Sequence, residues 1–146
     1  MSEMAGVDKQ ILLEVQGVRA GPQYESDESV LMVRGRLQID EKLVRLSYEE
    51  AGEDGLFLTA IEVADGVVNL RREGPFSSSL ALRKGWQSKS VFETPFGRFE
   101  IEAFSTSLWY ELGENEGKLR LSYQLTMQGE QMGLNHLHIA YKDAAG

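Results

Sequence analysis

The sequence predicts an all-β protein, a closed or nearly closed antiparallel up-and-down barrel of about eight to ten strands. Three observations predict it. Apolar residues recur with period two, and no long stretch shows the 3.6 period of an amphipathic helix. Turn signals recur every ~8–12 residues. The turns are short, so neighbouring strands read as antiparallel hairpin partners, and a meander this long keeps two bare edges unless it closes.

The elements follow in order. Ile11, Leu13, Val15 and Gly17 share one face of a first strand. Leu31, Val33, Gly35, Leu37 and Ile39 repeat the pattern, with Met32, Arg34, Arg36 and Gln38 on the other face. Val44, Leu46 and Tyr48 make a third strand, ended by "AGEDG" at 51–55. "LFLTAIEV" and "VVNLRRE" flank Asp65-Gly66, a pair that supplies the positive φ of a tight hairpin. "FSSSLAL" leads to the turn "RKG" at 83–85. Thr94-Pro95-Phe96-Gly97 is a turn, with Pro95 presetting φ at the second position and Gly97 fitting the fourth. "ENEG" at 114–117 and "QGEQ" at 128–131 are further turns. Between those two, Leu119, Leu121, Tyr123, Leu125 and Met127 are apolar at every odd position.

The stretch "ETPFGRFEIEAFSTSLWYEL" changes phase. Phe99, Ile101 and Ala103 are odd, whereas Leu108, Tyr110 and Leu112 are even. One residue must be absorbed between Phe104 and Ser107, by a β-bulge or a sharp bend of the kind a small barrel needs to close. Trp109 and Tyr110 then face opposite ways. An aromatic covering a barrel mouth or an edge is favoured over a ligand-stacking platform.

Composition bounds the chemistry. The chain has 146 residues, 42% of them hydrophobic and 26% charged, the profile of one globular domain spanning 1–146. Residues 1–8 are expected to be a flexible N-terminal segment. There is no cysteine, hence no disulfide, thiolate zinc site or thiol nucleophile. A cytoplasmic protein is expected: a reducing compartment suits a chain without cysteine, and no secretory signal or 18-residue apolar run is present. The formal net charge is -8, and the basic residues gather only as the pairs Arg34 and Arg36, Arg71 and Arg72, Arg83 and Lys84. Nucleic acid and membrane are not expected partners.

Site motifs are sparse. His136 and His138 share a strand face and could supply half a metal site, but no third ligand can be placed, so outer-face polar residues are the preferred reading and no metal is assigned. Ser77, Ser78 and Ser79 lack a nucleophile elbow, and Glu100 with Glu102 reads as a solvated outer face. No Gly-rich phosphate loop occurs, and no cofactor is expected. Arg34, Arg36, Arg45, Arg71 and Arg83 would bind an anion if any pointed inward. Period two places Arg34 and Arg36 outside.

Several of these segments carry a family resemblance. Arg71, Gly74, Gly85, Thr94-Pro95-Phe96-Gly97, Thr106, Tyr123, Leu125 and Asn135, with Tyr48 and Glu49 ahead of a strand, resemble the YwiB-like family of small bacterial proteins. The resemblance implies a calycin- or lipocalin-like barrel and brings no catalytic residue with it. The ligand-binding candidates are Trp109, Tyr110, Arg71, Tyr123 and Asn135. A module binding a small, partly apolar or anionic molecule is the first expectation. A non-catalytic interaction protein or homodimer, presenting a strand edge or the surface around Trp109, is the alternative. An enzyme using His136, His138 or a carboxylate comes third.

Overall fold

A computed structural model describes residues 6–21 and 24–144, with backbone alone for 24–27. Among them are ten strands and no helix. They are β1 (Val7–Gly21), β2 (Tyr24–Asp40), β3 (Leu43–Gly52), β4 (Gly55–Ala64), β5 (Val67–Glu73), β6 (Ser78–Leu82), β7 (Gln87–Thr94), β8 (Gly97–Leu112), β9 (Glu116–Met127) and β10 (Glu130–Asp143). β1 pairs with β10, and every other neighbour pair is an antiparallel hairpin except β6 and β7. The meander therefore bends round into a nearly closed barrel, and its seam lies between β6 and β7.

The seam is pinned at both ends. Ser77 and Glu93 exchange two backbone hydrogen bonds of 2.8 Å. At the other end the Gly85 N–H donates to the Ser105 carbonyl at 2.8 Å, and the Ser105 N–H donates to the Trp86 carbonyl at 3.1 Å. This second clasp depends on the phase change in β8. Ser105 pairs with Tyr123 and Ser107 with Ser122, so Thr106 is the extra residue of a bulge. Its hydroxyl donates to the Ser122 carbonyl at 3.2 Å. The bulge lies where the alternation fails, and it bends β8 toward the β6–β7 connection.

The turns follow their residues. Asp65 and Gly66 have φ of 51° and 78°, as do Gln128 and Gly129 at 52° and 82°, the pairs of positive angles that join twisted strands in two residues. Thr94 Oγ1 accepts from the Phe96 N–H and donates to the Gly97 carbonyl, both at 3.1 Å. β1 already includes Val7 and Asp8, and Asp8 makes a two-pronged pair with Arg36. Residues 7 and 8 thus belong to the sheet, and the rest of the expected N-terminal segment lies outside the described residues apart from Gly6.

The barrel has two unlike ends. At one, Ile11, Leu13, Leu37, Ile39, Leu46, Val63, Val68, Leu82, Leu119 and Ile139 fill the interior, each 2% exposed or less. Each such side chain contributes about 1.5–3 kcal/mol on leaving water. Two tyrosines finish this closed end. The Tyr141 hydroxyl donates to the Gly113 carbonyl at 2.6 Å, and the Tyr110 hydroxyl accepts from the Gly66 N–H at 3.1 Å. Burial pushes the Tyr141 phenol up to about 12, with the Gly113 hydrogen bond opposing it. Gly117 makes room for that ring, since a Cβ there would stand 2.6 Å from three of its atoms. At the other end the same inward faces carry larger gaps and polar groups.

Candidate functional site

Period two sends alternate residues inward, and beyond the packed half the inward series turns polar. On β1 it runs Ile11, Leu13, Val15, Gly17 and then Arg19; on β5 it runs Val68, Leu70 and then Arg72. β3 adds Tyr48 and Glu50, β4 Thr59, β9 Tyr123 and β10 Asn135. These groups surround a mouth cavity of about 550 Å³. Its deeper walls are Ile61, Leu70, Leu80, Ile101, Leu125 and Leu137. Among the residues whose side chains are described, none of β2 lines it; β2 pairs with β3 only from Gly35 to Asp40 and diverges beyond.

The rim has an internal order. Arg72 Nη2 stands 3.7 Å from Glu50 Oε1, and its guanidinium lies 4.0 Å above the Phe57 ring. Phe57, Phe76 and Phe92 follow in a chain with centroids 6.0 and 6.1 Å apart, so Phe76 of the β5–β6 loop bridges β4 and β7 across the seam. Burial raises the Tyr48 phenol above its ordinary value, and the Glu50 charge adds to this; a Thr59 hydrogen bond and Arg72 oppose it. Burial likewise raises Tyr123, opposed by the positive charge of Arg19. Both phenols are therefore neutral hydrogen-bonding groups at physiological pH, beside two permanent cations and one carboxylate.

The five candidates separate. Tyr123 and Asn135 line the cavity. Arg71 borders it, but its guanidinium reaches Glu62 on the outer face at 3.8 Å. Tyr110 faces inward at the closed end, where it holds the Asp65-Gly66 hairpin. Trp109 is on the outer face, 45% exposed, with the Arg120 guanidinium 5.1 Å from its ring. Trp109 also edges a shallow outer groove of about 860 Å³ with Met32, Arg34 and Lys118. That groove is larger, but it is the more open of the two, and its lining mixes Leu12, Met32 and Trp109 with both signs of charge, Glu14 and Glu111 beside Arg34 and Lys118. The mouth cavity is the better-built site.

His136 and His138 are on the outer face too, as their spacing implies, and Ser122 Oγ lies 2.6 Å from His136 Nδ1. Among the described residues no group of three or more His, Cys, Asp or Glu is placed to hold a metal. No described helix is long and apolar enough to cross a membrane. Arg19, Arg72, Tyr48 and Glu50 are the site residues that motif reading misses. Their signal is present all the same: each continues an apolar alternation by one more step.

Residues 14–139 match the family described as "Domain of unknown function (DUF1934)". The chain belongs to that family. The matched segment contains every residue that lines the mouth cavity. The chain is also 25% identical over 108 residues to "Uncharacterized beta-barrel protein YwiB" of Bacillus subtilis (strain 168), covering 74% of this chain and 76% of that protein. The "Crystal structure of ywiB protein from Bacillus subtilis" has the same fold, with a TM-score of 0.83 at 21% identity over 94% of each chain. The YwiB-like resemblance is thus shown, and so is the all-β barrel.

Proposed function

We propose that the protein binds a small amphipathic organic anion in the mouth of the barrel. The observation that carries this reading is the cavity of about 550 Å³, with an apolar floor and a rim bearing Arg19 and Arg72. Filling that space with Leu and Phe would stabilise the fold further, so an open, partly polar interior suits a ligand better than it suits a core. A carboxylate or similar head meets Arg19, Arg72, the Tyr123 hydroxyl and the Asn135 amide. Arg72 is held by Glu50, so the head competes with an existing partner and binding stays reversible. An apolar tail lies along Leu70, Leu80, Leu125 and Leu137. The lack of cysteine is consistent with a cytoplasmic binder.

Native mass spectrometry of freshly purified protein beside a denatured aliquot tests the reading. A discrete adduct lost on denaturation is the expected result and gives the ligand's mass. Apo protein that also takes up no medium-chain carboxylate on titration contradicts it.

A further inference from the structure

The two halves of the sheet have unequal lengths. β2 spans 17 residues and β3 spans 10. β2 pairs with β1 from Tyr24 to Ile39, with a register shift opposite Ala20 and an unbroken ladder over residues 27–39, but with β3 only through Gly35–Asp40. Between Tyr24 and Arg34 its second edge therefore pairs with no strand among the described residues. Unpaired edges are usually blunted by Pro, Lys, a bulge or a cover. This one carries Val30-Leu31-Met32-Val33, bounded by Glu28 and Arg34. Val30 and Met32 are 66% and 67% exposed, more than any other large aliphatic residue of the described barrel. Among the described residues no ion pair engages Glu28 or Arg34.

We infer that this edge pairs with the same edge of a second copy, antiparallel about a two-fold axis at Leu31. The order Glu-Ser-Val-Leu-Met-Val-Arg at 28–34 reads as its own partner. With Leu31 on the axis, Val30 faces Met32 of the second copy, Ser29 faces Val33, and Glu28 faces Arg34. The even residues all point outward and the odd ones inward, so each pair meets on one face. A register moved by two residues parts Glu28 from Arg34, and the one that would set Glu28 opposite Arg36 runs into the edge that β3 already occupies. Two seven-residue strands then form about 23 Å of ladder, join two barrels through one sheet, and remove the exposed edge. A two-fold contact closes on itself and stops at the dimer.

Sedimentation velocity of the full chain across a concentration series tests this. The expected result is a reversible shift to twice the chain mass. Glu28→Arg and Arg34→Glu each place like charges opposite one another at both ends of the ladder, and each weakens the dimer about tenfold. The double variant E28R/R34E restores it, which no loss of folding could imitate. The chain has no native cysteine, so V30C/M32C, oxidised in air, yields a crosslinked dimer that reductant reverses. A wild-type monomer at millimolar concentration overturns the inference. So does a dimer that is indifferent to both single reversals.

Discussion

Gly117→Ala tests how the closed end is built. Gly117 is buried on β9 with ordinary extended backbone, so its cost on substitution is steric alone. The new Cβ would lie 2.6 Å from Cε2, Cζ and Oη of Tyr141, well inside contact distance. The ring must retreat by about 1 Å. The Tyr141 hydroxyl now donates to the Gly113 carbonyl at 2.6 Å, and that retreat takes it out of hydrogen-bond range. Overpacking of this kind costs about 1–3 kcal/mol and the lost hydrogen bond about 1 kcal/mol. A loss near 3 kcal/mol is expected, or about 10 °C in Tm for a chain of 146 residues. Urea unfolding monitored by circular dichroism reads it directly. In a Tyr141→Leu background the same substitution should cost less than about 1 kcal/mol, because the opposing ring is gone. A cost below about 0.5 kcal/mol in the wild type, or an equal cost in both backgrounds, would refute the reasoning.

Tyr141 also sets a pH dependence. Its phenol, held near 12 when folded, stays protonated while the unfolded chain ionises from about 10. It contributes nothing below pH 9, and stability then falls by at most about 2 kcal/mol between pH 10 and 12. Urea titrations of wild type and Tyr141→Phe over that range should converge and then cross as pH rises, because the loss exceeds the roughly 1 kcal/mol that the hydrogen bond supplies; parallel curves would contradict this. Leu119, fully buried at the closed end, and Leu125, on the cavity wall, should differ on truncation to Ala. About 2–5 kcal/mol is expected at Leu119 and less than half of that at Leu125, where a void already exists, as measured by thermal unfolding. Arg72→Met should leave the fold intact and weaken binding of a medium-chain carboxylate at least tenfold by calorimetry.

Much of the fold can be read from residue type. Asp65-Gly66 marks its hairpin, the odd series from Leu119 to Met127 lies inside, and the lost phase in β8 is the Thr106 bulge. The site is less legible, because period two tells which face a residue takes but not its height along the barrel. Tyr110 and Tyr123 both point inward, yet one plugs the closed end and the other lines the mouth. Height depends on register between strands far apart in sequence. Arg71 illustrates the narrower difficulty. Its neighbour Arg72 continues the inward series of Val68 and Leu70, whereas Arg71 pairs outside with Glu62. The early parting of β2 from β3 leaves only one local mark, Gly35, the last β2 residue to pair with β3, where a Cβ would collide with Leu13 Cδ1 and the Ser47 carbonyl oxygen.

Amide chemical shifts during titration with decanoate test ligand binding in the mouth most directly. Decanoate has the head and tail that the cavity would accept, and the spectrum reports where it settles. The predicted result is saturable shifts at Arg19, Tyr48, Arg72, Tyr123 and Asn135, lost together in Arg72→Met. No shifts, or shifts confined to the outer groove beside Trp109 and Met32, would contradict a binding site in the barrel mouth.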